Sequence, residues 1–251
     1  MSLNHSKGRL VGLSRELLRT WQETQEIWRD EKAREFDRNE TFDLNIWRKA
    51  CELGFVGVFH DEKYGGAGLG FLEHCLITEE FWAVDAGMGN AVITATFGSE
   101  LLKLFGTEEQ KQKYLPPLVR GEAITGCAIT EPDAGSDVTG AITSAVKDKD
   151  EYVINGSKMF ITNGDLAKYM NVFCLTDPDH KDRHQRHSFF IVETDRKGFQ
   201  SNKLHGKLGI RANDTAEVSF SNVRVPASNL VGQLGNGFRE LMAFFNLTRL
   251  H

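Results

Sequence analysis

The hydrophobic pattern of this chain changes its period once, near Gly121, and that change limits the fold more than any other feature. Before it, apolar residues recur at helical spacing, and after it they alternate as in β-strands. Helices that precede strands, without βαβ alternation, are typical of an α+β protein with separate domains. We predict a helical N-terminal domain over residues 1–120, a β-barrel or sandwich middle domain over 121–234, and a third region over 235–251 that starts with a helix.

Five helices are predicted before Gly121, from apolar spacing and from residues that begin or end helices. The first places Leu17, Leu18, Trp21 and Trp28 on one face, and the second is capped by Asp43, buries Ile46, Trp47 and Ala50, and ends at Gly54. The third is marked by Leu72, Cys75, Leu76 and Trp82; the fourth is the buried run Met88–Phe105, ended by Gly106; the fifth starts with a capping box at Thr107–Gln110 and ends at Pro116-Pro117.

Short strand-like runs follow at the spacing expected for a barrel or sandwich. They are Ala123–Thr130, Ala141–Lys147, Glu151–Asn155, Lys158–Thr162, Met170–Thr176, Ser188–Glu193 and Ala216–Ser221. Between two of them, Asn155-Gly156 is the dipeptide of a tight two-residue turn, so it predicts a β-hairpin.

The helical period returns after Gly235-Asn236-Gly237. Phe238, Leu241, Met242 and Phe245 share one face of this last segment. An apolar face this wide must pack on its own chain, on another subunit, or on the remainder of a longer protein.

Composition excludes several classes of function. The net charge of −5 argues against a dedicated nucleic-acid binder, which carries a basic face. No apolar run approaches the roughly 20 residues that cross a bilayer, and residues 1–10 lack the apolar core of a secretory signal. Cys51, Cys75, Cys127 and Cys174 have no Cys-x-x-Cys spacing and fit buried thiols in a reducing compartment. We therefore expect neither a nucleic-acid nor a membrane partner.

Two further patterns are unconvincing as sites. The glycine-rich segment Gly66–Gly70 lies between predicted helices and follows no strand, so it favours a loop at which two helices meet over a phosphate-binding loop. His180, His184 and His187 alternate with Lys and Arg after Asp177-Pro178, which is typical of an exposed charged loop. We predict no metal site.

Two polar loops within Thr125–Gly164 form the candidate functional site. The first is Thr130–Asp137, in which Pro132 and Gly135 shape the turn, and the second is Ser157–Gly164. Each collects hydroxyls, N–H groups and small residues, so the loops can hold the edge of a flat, acceptor-rich ligand or an anion. The alternative is a pair of solvated turns, which are common in β-domains.

Three ordered groups of residues resemble the acyl-CoA dehydrogenase family. They are Ile129–Pro132 and Ala134–Asp137 with Asn155-Gly156 and Lys158–Gly164; Tyr64–Gly66 and Gly68-Leu69 with Phe105–Lys111; and Lys207–Arg211 with Val223 and Val225-Pro226. Each group alone is modest. In combination they are specific, and the ordered match runs from about residue 10 to residue 251.

The resemblance implies a helical N-terminal domain, a middle β-domain and a C-terminal four-helix bundle, of which residues 235–251 are the start. It implies FAD held between the β-domain and the bundle, partly across a subunit interface. The implied reaction is α,β-dehydrogenation of an acyl-CoA thioester, in which a glutamate removes the α-proton and the β-hydrogen leaves as hydride to flavin N5. Electrons then pass to an electron-transferring flavoprotein.

The same resemblance implies roles for residues of the two loops. Thr130 is expected to hydrogen-bond the isoalloxazine edge, Thr162 to reach near N5, and Phe160 to lie against the ring. The two hydroxyls would supply the preorganised polar contacts that an enzyme offers to a cofactor. The cofactor-binding residues so implied are Cys127, Ile129, Thr130, Gly135, Ser136, Phe160, Ile161 and Thr162. The implied substrate-binding residues are Ser136, Asn246, Thr248 and Arg249.

Several positions depart from the family pattern. Cys127 stands where some members have an aromatic residue, Asp133 where glycine is frequent, and Asn246 where the family has aspartate. The catalytic glutamate of the family lies far into the bundle or, in some members, at the position of Thr248. We therefore name no catalytic base, and assign Glu131 only to holding its loop. We expect a truncated chain that binds FAD weakly or not at all.

Three functions stay open at this stage. The chain is part of a FAD-dependent acyl-CoA dehydrogenase, or of a relative such as an acyl-CoA oxidase or a flavin-dependent monooxygenase, or it is a non-catalytic module of the same fold. An oxidase turns over acyl-CoA with oxygen alone, whereas a dehydrogenase needs another acceptor. The resemblance also implies a homo-oligomer, a dimer or tetramer, in the bacterial cytoplasm or the mitochondrial matrix of a eukaryote.

Overall fold

The structure is a computed structural model and describes residues 30–249. Its helices are α1 (Asp30–Asn39), α2 (Leu44–Glu52), α3 (Phe71–Val84), α4 (Ala86–Ile93), α5 (Ser99–Phe105), α6 (Glu108–Val119) and α7 (Gly237–Thr248). Its strands are β1 (Thr125–Ala128), β2 (Ser144–Asp148), β3 (Glu151–Thr162), β4 (Tyr169–Leu175), β5 (His187–Glu193), β6 (Phe199–Lys203), β7 (Thr215–Pro226) and β8 (Leu230–Val231). The predicted helix with Leu17, Leu18, Trp21 and Trp28 lies outside the described residues.

The helix starts that depend on local caps are confirmed. The Asp43 carboxylate accepts the N–H groups of Asn45 and Ile46 at the start of α2. At the start of α6, Thr107 and Gln110 exchange both hydrogen bonds of a capping box. The two partners of each contact lie within three residues of each other along the chain, so a short stretch of sequence is enough to predict them.

The predicted end of α6 at Pro116-Pro117 is wrong, because the helix continues to Val119. Two prolines remove two backbone donors from the helix. Leu115 and Leu118, on either side of them, are completely buried against the rest of the protein. Burial of these two side chains outweighs the missing hydrogen bonds.

The predicted fourth helix over Met88–Phe105 is two helices. Between α4 and α5 lie a short 3-10 turn, Thr94–Thr96, and Gly98, which has a left-handed φ of 102°. A β-carbon on Gly98 would stand 2.9 Å from the carbonyl oxygen of Gly126 in β1. The break therefore lets the helical layer approach the sheet, which local propensity does not encode.

Helix α3 is present, but it buries a different face from the one that its large apolar residues mark. Leu72, Leu76 and Trp82 are exposed, whereas Ile77 and Phe81 are buried. Apolar content alone located this helix and did not orient it.

The sheet is mixed, with strand order β6-β7-β3-β2-β4-β5-β8, and β1 pairs in parallel with β4. Strands β6 and β8 were not predicted. The predicted hairpin at Asn155-Gly156 is wrong, because β3 runs through it and pairs with β7 on both sides. The hairpin lies instead at Lys149-Asp150, where β2 and β3 meet and Lys149 has a φ of 58°.

Three hydrophobic clusters organise the molecule. One lies among α1 to α4, one lies inside the sheet, and one joins α5, α6 and α7 to β1, β4 and β5. Leu241 and Phe244 of α7 are fully buried in the joining cluster, while Met242 on the same helix is exposed. Part of the predicted apolar face of this helix therefore packs on its own chain. No helix among residues 30–249 is long and apolar enough to cross a membrane.

Candidate functional site

The two loops predicted as a site lie side by side at the ends of β1 and β3. The Met159 N–H donates to the Thr130 carbonyl at 2.8 Å, which joins the loops directly. In β1, a β-carbon on Gly126 would stand 2.8 Å from the carbonyl oxygen of Thr162. Residues 127–136 and 157–164 thus lie next to each other, and we call the exposed and half-buried residues of these two segments the loop edge.

A β-bulge turns Phe160 outward on this edge. Lys158 pairs with Val218 and Ile161 with Ala216, so β3 has one residue more than β7 between these pairs. Phe160 adopts a φ of 60°, and 64% of its surface is exposed, while Lys158 and Ile161 beside it are buried. Bulges of this kind re-aim a side chain and are common beside active sites.

The polar atoms of the loop edge fit a flat ligand with several acceptors. The hydroxyls of Thr130, Ser136 and Thr162 reach the surface and have no hydrogen-bond partner among residues 30–249. Gly135 is exposed, and a β-carbon on it would meet no atom within 4 Å. Unpaired hydroxyls that can donate, an open glycine and an outward aromatic ring form a surface that a flat ligand with acceptor atoms along its rim could contact.

The remaining predicted cofactor residues are buried. Cys127, Ile129 and Ile161 contribute side chains to the hydrophobic clusters behind the loop edge. Burial raises the pKa of the Cys127 thiol, so this group stays neutral. Only the backbone of these three residues can face a ligand at the edge.

A buried ion pair lies directly behind the loop edge. Lys158 Nζ is 2.9 Å from Glu131 Oε1 and 2.9 Å from the Ile129 carbonyl oxygen. The carboxylate of Glu131 also accepts the N–H groups of Ile142 and Thr143, each at 2.8 Å. Both oxygens of Glu131 are thus engaged within the protein, as its assignment to holding the loop predicts.

Asn163 ties the loop edge to the helical layer. Its side-chain amide donates to the carbonyl oxygens of Thr94 at 2.6 Å and of Thr125 at 2.9 Å. Its φ of 62° is left-handed, a conformation that asparagine adopts more readily than most residues. The edge is therefore held from the helical side as well as from within the sheet.

A second buried carboxyl, Glu100, lies in α5, next to the point where Gly98 packs against Gly126 of β1. Its Oε2 accepts the Gly98 N–H at 2.8 Å, and Asn171 donates to the Gly98 carbonyl at 3.0 Å. Burial raises the pKa of Glu100 to about 7. Sequence reasoning missed both this group and the role of Lys158.

The signal for Lys158 was present in the strand pattern. Tyr152, Ile154 and Lys158 share the inward face of β3, and a lysine at an inward position needs a buried partner. The identity of that partner, 27 residues away along the chain, is a property of the fold.

The predicted substrate residues lie elsewhere, at the end of α7. Asn246 and Arg249 are exposed, and Thr248 is buried with a hydroxyl that has no partner among the described residues. No hydrogen bond within residues 30–249 joins these three residues to the loop edge. The rings of Phe97 and Phe244, 5.3 Å apart, connect α7 to the turn after α4.

The histidine pattern is corrected in one respect. His180 and His184 are partly or fully exposed, but His187 is buried at the start of β5. Its Nε2 lies 2.9 Å from the Ala141 carbonyl oxygen, and its ring stacks on Phe173 at 4.6 Å. Within residues 30–249, no group of three His, Cys, Asp or Glu residues could hold a metal ion.

The protein is of the α+β class. Helices come first, a mixed sheet that carries the loop edge follows, and a last helix packs back on the sheet. Its residues 15–122 match the family described as "Acyl-CoA dehydrogenase, N-terminal domain", and residues 126–223 match "Acyl-CoA dehydrogenase, middle domain". The chain belongs to the acyl-CoA dehydrogenase family.

Individual relatives agree with this assignment. The short-chain-specific acyl-CoA dehydrogenase of Clostridium acetobutylicum is 41% identical over 208 residues, which are 82% of this chain and 54% of that protein. The glutaryl-CoA dehydrogenase of Mycobacterium smegmatis in complex with FADH2 has a TM-score of 0.83 at 32% identity, covering 94% of this chain and 59% of that one.

A chain in the structure of the electron transferring flavoprotein of Acidaminococcus fermentans has a TM-score of 0.85 at 36% identity, covering 93% of this chain and 62% of that one. The present chain therefore spans only a little over half of the length of the proteins that it matches.

Proposed function

We propose that this chain supplies the flavin-facing part of a FAD-dependent acyl-CoA dehydrogenase. The observation that carries the proposal is the loop edge, where two adjacent segments carry three unpaired hydroxyls and the exposed ring of Phe160. The glutaryl-CoA dehydrogenase to which the chain is similar holds FADH2, which supports a flavin.

Each exposed group of the loop edge has a proposed task. The hydroxyls of Thr130 and Thr162 donate to acceptors along the rim of the flavin ring, and Phe160 covers the ring and excludes water. Ser136 is proposed to contact both the cofactor and the thioester end of the substrate. When bound, FAD supplies the oxidation of the acyl-CoA α,β-bond.

The acidic residues of the described site are not assigned to removal of the substrate α-proton. Glu131 uses both oxygens on Lys158 and on two backbone N–H groups. Glu100 is buried, and its carboxylate accepts the Gly98 N–H. We propose that Asn246, Thr248 and Arg249 border the acyl-CoA, and that another part of the enzyme supplies the base.

The partners are proposed on the same basis. Acyl-CoA is the substrate, an electron-transferring flavoprotein is the electron acceptor, and the enzyme is a homo-oligomer in the bacterial cytoplasm or the mitochondrial matrix. The division into regions 1–120, 121–234 and 235–251 belongs to this proposal. Similarity to a chain in an electron transferring flavoprotein structure supports the acceptor.

Titration of the purified chain with FAD tests cofactor binding. We expect weak quenching of flavin fluorescence, and Ser136→Ala should weaken binding by about fivefold to tenfold, since one hydrogen bond contributes about 1 kcal/mol. Ser228→Ala is the matched control, because Ser228 is also exposed but follows β7 at the end opposite to Thr162. Absence of any FAD effect would show that these residues do not bind flavin by themselves, and stoichiometric flavin absorbance after gel filtration would contradict the expected weak binding.

Turnover tests the reaction class in the enzyme that contains this chain. A dehydrogenase forms the 2,3-enoyl thioester only when an electron-transferring flavoprotein or an artificial acceptor is supplied. Equal turnover with oxygen as the sole acceptor would identify an oxidase and overturn the proposed acceptor.

A further inference from the structure

We propose that Glu131 and Lys158 are positioning residues: their buried ion pair holds the first loop of the edge at a set distance from the bulge that presents Phe160. This inference rests on the proposed function, because it gives the pair a purpose in ligand binding. Neither residue touches the ligand in this proposal.

The pair is removed from solvent, and both carboxylate oxygens of Glu131 accept hydrogen bonds. Lys158 is 0% exposed and Glu131 is 6% exposed. Lys158 Nζ bridges the Ile129 carbonyl oxygen and the Glu131 carboxylate, and that carboxylate also receives the N–H groups of Ile142 and Thr143. Three separate backbone segments, near 129–131, 142–143 and 158, therefore meet at a single pair of charges.

The position of the pair matches the position of the candidate ligand contacts. The bond from Lys158 to the Ile129 carbonyl lies one residue away from the bond between the Met159 N–H and the Thr130 carbonyl. These two bonds cross between the same two segments. The next residues outward along these segments include Thr130 and Phe160, whose hydroxyl and ring face the surface.

Stability alone does not account for this pair. Lys158 Nζ lies 5.7 Å from the centre of the Phe173 ring, and hydrophobic clusters surround the site. In such surroundings an apolar pair of similar volume often serves stability as well as an ion pair does, whereas the ion pair specifies geometry. Burial opposes the charge on Glu131, but Lys158 and the donated N–H groups outweigh it and hold the pKa of Glu131 below its ordinary value.

The test compares Lys158→Met with Val225→Ala in the whole 251-residue chain. Val225 is completely buried in the sheet and pairs with Tyr152, toward the opposite end of β3, so its truncation lowers stability without touching the loop edge. Amide hydrogen exchange of peptides over 129–137 and 157–164 is the first measurement, and it needs no flavin. FAD affinity and the visible absorption bands of bound flavin are the second.

We expect Lys158→Met to accelerate exchange in both loops by at least tenfold and to weaken FAD binding by at least tenfold, with shifted flavin bands. Val225→Ala should lower the melting temperature but leave loop exchange and the flavin spectrum unchanged. If Lys158→Met does not fold, Glu131→Gln/Lys158→Met replaces it, since this variant leaves no unpaired buried charge.

The outcomes separate this inference from the proposed function. Unchanged exchange in both loops would overturn the positioning role, whether or not the wild-type chain binds FAD. Faster exchange with unaltered FAD affinity and spectrum would also overturn it, because the pair would then act on stability alone. A wild-type chain that does not bind FAD would count against flavin binding by this chain alone, and the exchange measurement would still decide whether the pair holds the two loops together.

Discussion

Gly126 of β1 lies directly against Thr162 of β3, so closely that a β-carbon at position 126 would stand 2.8 Å from the Thr162 carbonyl oxygen. The contact partner is backbone, which cannot rotate away as a side chain can. The absence of a side chain at Gly126 therefore allows the two halves of the loop edge to meet.

Gly126→Ala should lower the free energy of unfolding by about 1 to 3 kcal/mol, because the added methyl group must displace β3. Gly209→Ala is the control: Gly209 has no atom within 4 Å of an added β-carbon, so its change should stay within about 0.5 kcal/mol. Urea denaturation measures both. Equal stability of Gly126→Ala and wild type would show that the approach is not a constraint.

Glu100 should make the protein less stable as the pH rises. Its pKa is about 7 in the fold and 4.5 ordinarily, so the folded state binds the proton more tightly and stability falls between these values. A difference of one in pKa corresponds to about 1.4 kcal/mol, so the loss is on the order of 3 kcal/mol.

Glu100→Gln should remove this loss while still accepting the Gly98 N–H. The difference between variant and wild type in free energy of unfolding, measured at pH 5 and pH 8, isolates Glu100 from other titrating groups. Burial also raises the pKa of Glu240 to about 7, but Glu240 contributes the same pH dependence of stability to both proteins and cancels in the difference. Parallel pH profiles would contradict the assignment.

Phe160 should tolerate glycine better than alanine for folding. Its φ of 60° is left-handed, which costs a residue with a side chain about 1 kcal/mol, and its exposed ring contributes little to the core. Chemical denaturation should therefore find Phe160→Gly more stable than Phe160→Ala by about 1 kcal/mol. Both variants should lose FAD affinity, and Phe160→Trp should retain it; FAD binding by Phe160→Gly equal to wild type would remove the ring from the site.

Substitutions at two neighbouring residues of α7 should differ in their effects on stability and on self-association. Leu241 is completely buried, so Leu241→Ala should lower the free energy of unfolding by about 2 to 5 kcal/mol. Met242 is 36% exposed, so Met242→Lys should change stability by less than about 0.5 kcal/mol while weakening self-association. Sedimentation velocity measures the association; an unchanged oligomer would exclude this face from the subunit contact.

Much of the architecture was predictable because its determinants are local. The order of helices before strands follows from the hydrophobic period, and the caps at Asp43 and Thr107 have partners within three residues. The pairing of the two polar loops also followed from the sequence, but only through resemblance to a family. The ligand roles of their residues stay predictions.

The tertiary structure decided everything that depends on atoms far apart along the chain. It divided the run Met88–Phe105 where β1 approaches, carried β3 through Gly156, and extended α6 past its prolines. It also paired Lys158 with Glu131 behind the loop edge. Periodicity predicts which face of a strand is buried. It does not predict which residues from other parts of the chain contact that face. For a buried charge those contacts decide the free energy, because the charge is stable only with a suitable partner.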